Sequence, residues 1–143
     1  MFFVGLAEDL GYSMPPVRRL LASAISGVLV VAIFRIWITK LGVPGIDTLL
    51  LIAPVGILFT IFATVGVVNS FNLIDGLNGL SSYVTVSTAF ALSIIAAKVA
   101  NPQIAFFLVL LTAPVLGFMI LNFPFGKIFL GDGGAYVLGH LLV

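Results

Sequence analysis

The chain of 143 residues has no cysteine, one histidine, one tryptophan and very little charge. Without cysteine there are neither disulfides nor thiolate metal ligands. One histidine cannot build a zinc site without several partners. Six basic residues stand against five acidic ones, which excludes a strongly basic surface for nucleic acid. Charged residues make up only 8% of the chain, where a soluble domain carries about 25%. With 62% hydrophobic residues and a mean hydropathy of +1.32, the chain reads as an integral membrane protein.

Four apolar runs approach the roughly 20 residues that a membrane-spanning helix needs: about Leu20 to Trp37, Thr48 to Val68, Leu80 to Ala97 and Ile104 to Leu121. Arg35, late in the first, is expected to snorkel to the interface. The Ser and Thr residues of the third are expected to bond back to their own helix. Pro114 in the fourth is expected to kink it. The start, "MFFVGLAEDLG", lacks the basic region of a signal peptide and reads as the last two turns of a membrane helix. The run Ala135 to Val143 reads as the beginning of another, with His140 at a buried or interfacial position and no visible partner. Both ends look cut. The expected fold class is an all-α membrane protein: one membrane-embedded domain over 1–143, a polytopic bundle fragment with about four full spans and partial helices at both ends. A short extended segment is expected around Phe34 to Ile46, where "FRIWITKLGVPGI" alternates apolar and polar before turning at Gly-Val-Pro-Gly.

Loop parity then sorts the polar residues. If the loop Glu8–Arg19 lies on one side, so do Asn69–Gly79 and Asn122–Gly134, while Ile38–Thr48 and Ala97–Gln103 lie on the other. Glu8, Asp9, Asp75 and Asp132 thus share one face. Three basic residues fall on each side, so charge gives no orientation.

Asn69, Asn72 and Asp75 stand at i, i+3 and i+6, one stripe of a helix if the second span continues. Gly76 and Gly79 then break the helix and let backbone approach a ligand. Carboxylates with amide oxygens and no Cys suit a hard cation such as Mg²⁺, with phosphates completing its shell. "GDGG" offers backbone N–H groups as an anion nest, and Lys127 can meet phosphate as a point charge. Taken singly, each loop is an ordinary turn, and "DGLNG" lacks the EF-hand spacing. Their coincidence on one face is what points to metal–phosphate chemistry.

The wording of these loops is also familiar. "NSFNLIDGLNGL" resembles the N-x-x-N-x-x-D-G-x-D-G-L signature of the polyprenyl-phosphate N-acetylhexosamine-1-phosphate transferases, glycosyltransferase family 4. "NFPFGKIFLGDGGAYVLG" resembles the family's later G-D-x-G loop, and "GLAEDLGYSMPPVRRLL" its G-x-x-D-D loop. The three follow in family order and cover nearly the whole chain. The resemblance implies transfer of N-acetylhexosamine 1-phosphate, with N-acetylglucosamine the expected sugar, from a UDP-sugar to undecaprenyl phosphate with release of UMP. It places the reaction on the cytoplasmic face of a bacterial inner membrane, and the extended segment on the opposite side. By position, Asp132 matches the Mg²⁺ ligand, with Mn²⁺ as an alternative ion and Asp75 beside it. Glu8 and Asp9 match the acidic pair assigned to the acceptor phosphate or the metal, and Asp75 is grouped with them as catalytic. Asn72, Gly76, Asn78, Lys127 and Phe129 match the UDP-sugar site, Phe129 beside the uracil. Asn78 stands where the family commonly has Asp, and Ala135 where it has Ser. The family's enzymes have further spans, an early basic motif and a later His-containing loop, none of them in this chain. "NLIDGLNG" leans toward the enzymes that start O-antigen, teichoic acid or capsule rather than peptidoglycan. Further partners are the bilayer itself and, as an open option, a second copy in a homodimer.

Two rivals remain at this level. A secondary transporter also uses intramembrane Asn and Asp, but near the midplane, whereas these acids lie at span ends. A remnant of the transferase that folds without catalysing is the other.

Overall fold

Pro16, Pro54 and Pro102 each fall in the first turn of a long helix, where a missing N–H leaves no bond unmade. They set the starts of three of the four spans in the computed structural model, which describes residues 1–143. The elements are α1 (Phe2–Asp9), α2 (Pro16–Phe34), α3 (Ile46–Leu50), α4 (Ala53–Ile74), α5 (Leu80–Lys98), α6 (Pro102–Asn122) and α7 (Gly131–Leu141). Helices α2, α4, α5 and α6 are long and apolar enough to cross a membrane. The all-helical bundle and its four spans match the expectation, and α6 runs through Pro114 without a break.

Several boundaries differ from the hydropathy reading, and the second run divides into α3 and α4. Helix α4 continues to Ile74, six residues past Val68, because Asn69 and Asn72 find side-chain partners inside the bundle. The residues after Phe34 are non-helical, as expected, but pair with no strand. They are tied to α4 instead. The Ile38 N–H donates to Thr60 Oγ1 at 2.9 Å, and Trp37 lies so close to Gly56 that a Cβ there would sit 2.6 Å from the indole. The Leu41 and Gly42 N–H groups donate to Asp47 at 2.7 and 3.2 Å, so the fifth acid of the chain closes a turn at the far end from the other four.

Lipid tails are as apolar as leucine, so spans associate through close packing and polar contacts rather than water exclusion. The contacts here follow that rule. Helix α2 meets α4 at Gly27, where a Cβ would touch Thr64 at 3.4 Å. A Cβ on Gly139 of α7 would lie 2.8 Å from the Val68 Cα of α4. Thr85, Ser87 and Ser93 of α5 donate to carbonyls three or four residues back. Phe71, Val115 and Leu138 form the buried apolar junction of α4, α6 and α7. Most large apolar side chains, including Leu58, Phe62 and Ile120, point outward, as a lipid-facing surface requires.

Candidate active site

An α-helix leaves the N–H groups of its first turn without intrahelical partners. At the start of α7 the Asp132 and Gly133 N–H groups donate to the two carboxylate oxygens of Asp9, at 2.8 and 3.0 Å. The glycines of "GDGG" make room for this cap. Gly131 has φ +72°, and a Cβ there would come within 2.8 Å of the Asp9 carboxylate. A Cβ on Gly5 would run into the backbone of Gly133, so α1 and α7 touch main chain to main chain. The expected anion nest therefore holds the chain's own anion.

The cap fixes Asp132 on the first turn of α7. Its carboxylate also accepts from Asn72 Nδ2, on the last turns of α4. Asp75 follows as the C-cap of that helix and accepts from the Ser81 hydroxyl at 2.7 Å. Burial pushes the Asp75 carboxyl above the ordinary carboxylate range against the Ser81 hydrogen bond, and the charges of Asp132 and Asp9 push it the same way. The helical stripe expected from the sequence thus fans out to three neighbours: Asn69 donates to Ser23 of α2 at 3.1 Å, Asn72 reaches α7, and Asp75 reaches α5.

No three Asp, Glu or His side chains converge tightly enough to hold a metal ion by themselves. Mg²⁺ does not require that, since it binds through one or two carboxylates and keeps waters or substrate phosphates. Asp75 and Asp132 each keep one oxygen free of protein hydrogen bonds, and the Asn72 amide oxygen is also free. The neighbouring carboxylates and this donor set fit a hard divalent cation.

Beside them, the loop 123–130 is pinned from below. Asn122, 5% exposed, accepts from the Gly79 N–H at 2.5 Å and donates to the Ile128 carbonyl at 2.8 Å. Asn78 donates to the Pro124 carbonyl at 3.3 Å. Lys127 and Phe129 are exposed on this loop, and Gly76 is open to its surroundings, with only the Leu73 carbonyl near an added Cβ.

The expected residues Asp9, Asn72, Asp75 and Asp132 are brought together at one end of the spans, with Asn78, Lys127 and Phe129 on adjoining loops. Glu8 differs from its neighbour. Its side chain is 3% exposed and pairs with Arg19 Nε at 2.5 Å, while its other oxygen accepts from the buried Tyr136 hydroxyl at 2.9 Å. Sequence reasoning placed Arg19 and Asn122 at this end without giving them a partner, and it missed Tyr136 and Ser81. Tyr136 had a signal, since it stands one turn after Asp132 on the same helix face. His140, read as unpartnered, lies 3.3 Å from the Ser26 hydroxyl.

Known proteins agree with the motifs. The chain is 30% identical over 142 residues to the phospho-N-acetylmuramoyl-pentapeptide-transferase of Bacillus pumilus, covering 98% of this chain and 43% of the relative. It is 36% identical over 138 residues to the enzyme of that name from Leuconostoc citreum, covering 93% of this chain and 41% of the relative. It thus spans about two fifths of the length of the curated relatives it matches. The model of Glycosyl transferase family 4 matches residues 1–143 from end to end, and the chain belongs to that family.

Proposed function

We propose that this polar end is part of the catalytic face of a phosphosugar transferase, which moves an N-acetylhexosamine 1-phosphate from a UDP-sugar to undecaprenyl phosphate and releases UMP. One observation carries the reading: Asp9, Asp75, Asn72 and Asp132, from three distant stretches of sequence, meet at one end of the spans. On the membrane this end is the cytoplasmic face of a bacterial inner membrane, where UDP-sugars are found.

The acceptor needs little activation. A phosphate monoester with a second pKa near ~6 is largely dianionic at neutral pH. The obstacle is bringing that dianion onto an anionic diphosphate, so the residues serve mainly to position and neutralise. Asp75 and Asp132 would hold Mg²⁺, or Mn²⁺ in its place, with Asn72 fixing the orientation of Asp132. Such an ion supplies charge neutralisation and Lewis acidity at the diphosphate when bound. Lys127, exposed on its loop, places a cation against the phosphates. Phe129 offers a flat face for the uracil to stack on. Asn78 and the open backbone at Gly76 contact the nucleoside diphosphate. Asp9 holds the first turn of α7, and with it Asp132.

N-acetylglucosamine is the sugar that the family resemblance implies. The names of the relatives point instead to a phospho-N-acetylmuramoyl-pentapeptide. An assay offering both UDP-sugars separates them. UMP release that requires Mg²⁺ and undecaprenyl phosphate together, with either donor, is the expected result. No UMP from either donor, with uptake of a solute into vesicles, would replace this reading with the transporter.

A further inference from the structure

Glu8 and Asp9 are adjacent on α1, so their side chains leave the helix about 100° apart. Asp9 reaches the first turn of α7. Glu8 points into the packing, 3% exposed, between Arg19 in the first turns of α2 and Tyr136, one turn farther along α7 and fully buried. One of its oxygens accepts from the Tyr136 hydroxyl, and the other is in ion-pair contact with Arg19 Nε without a hydrogen bond. Neither is left to face the end where Asp75 and Asp132 lie. A carboxylate in that position acts on the geometry of the helices around it.

We infer that Glu8 is a positioning residue: clamped between Arg19 and Tyr136, it seats α1 and α2 on α7, so that Asp9 caps α7 and Asp132 is aimed. Its importance for turnover rests on the transfer reaction proposed above; the clamp itself does not. Two negative side chains side by side in sequence thus divide the labour, one locking the helix and the other capping its neighbour.

The energetics of a buried ion pair give an asymmetric test. Removing the cation strands a buried carboxylate, which destabilises strongly, whereas removing both charges is close to neutral. Glu8→Gln keeps an oxygen for the Tyr136 hydroxyl and leaves Arg19, which is 30% exposed, free to reach the interface. Arg19→Met should therefore lower the midpoint of thermal unfolding in detergent by on the order of 10 °C. Adding Glu8→Gln to Arg19→Met should recover most of that loss. In UMP release, Arg19→Met should lose roughly a hundredfold through misplacement of the site, and the double variant should regain most of it. Removing a carboxylate that touches substrate or metal could not rescue turnover. Recovery of the midpoint establishes the clamp even if no variant, nor the unaltered chain, releases UMP, and that outcome counts against the proposed function alone. An Arg19→Met midpoint that Glu8→Gln leaves unrescued overturns the clamp. So does Glu8→Gln that abolishes UMP release at an unchanged midpoint, because Glu8 would then act on the reactants directly.

Discussion

Asn122 is the residue on which the loop carrying Lys127 and Phe129 hangs. Its amide satisfies one buried donor and one acceptor, the Gly79 N–H and the Ile128 carbonyl. Asn122→Ala leaves the buried Gly79 N–H unpaired, and such a group costs about 1–3 kcal/mol. A lowered thermal midpoint together with a raised KM for the UDP-sugar is the expected outcome, read by calorimetry and by steady-state UMP release. Asn78 contrasts with it. That side chain is exposed and makes one long hydrogen bond to Pro124, so Asn78→Asp should be tolerated in both assays. Asn78→Ala should mainly weaken UDP-sugar binding. At this scale the sequence was a good guide to what gathers and a poor guide to how. Asn72, Asp75 and Asp132 were legible as a group because helical spacing and loop parity put them at one end of the spans. The pairing of Glu8 with Arg19 and Tyr136 was not, because a long-range ion pair and a buried hydroxyl leave no local pattern. The "GDGG" turn pointed correctly to an anion at a helix start but not to Asp9 as that anion.

Among the elements, α7 is the one on which the others are set. It carries Asp132, is capped by α1 and packs closely on α4. The α4 contact depends on Gly139, whose added Cβ would lie 2.8 Å from the Val68 Cα and 3.1 Å from the Phe71 Cβ. Backbone cannot yield as a flexible side-chain tip can, so Gly139→Ala should destabilise by about 1–3 kcal/mol, seen as a lower midpoint in detergent. Gly66, on the same α4, meets nothing within 4 Å of an added Cβ. Gly66→Ala should show no such loss. Hydropathy located all four spans, since a lipid-facing helix must be apolar whatever it packs against. It misplaced the end of α4, because polar residues that find partners within the bundle look like loop to a hydropathy count. It could not see α3, a five-residue helix too short to carry its own periodicity.

For the whole molecule, the arrangement places the loops 10–15, 75–79 and 123–130 at one end and the loops 35–45 and 99–101 at the other. The absence of cysteine makes this directly measurable. Single substitutions Tyr12→Cys, Leu77→Cys and Phe125→Cys, all at exposed positions, should be labelled by a membrane-impermeant maleimide from the same side of a sealed vesicle. Lys40→Cys and Val99→Cys should be labelled only from the opposite side. Leu77 and Phe125 reacting from different sides would break the site apart. Orientation was not legible in the charges, which divide evenly.

The central claim is that Asp132, aimed by Asp9 and Asn72, holds the ion that brings two phosphates together. Asp132→Asn keeps the shape of the side chain and an oxygen that can accept from Asn72, and removes the charge that holds Mg²⁺ against water. The most direct measurement is Mg²⁺-dependent UMP release from UDP-N-acetylglucosamine and from UDP-N-acetylmuramoyl-pentapeptide with undecaprenyl phosphate. It is made on the unaltered protein and on Asp132→Asn, with the thermal midpoint taken alongside. Loss of turnover by a factor of roughly a thousand at a nearly unchanged midpoint is the predicted result; near-normal turnover of Asp132→Asn would contradict it.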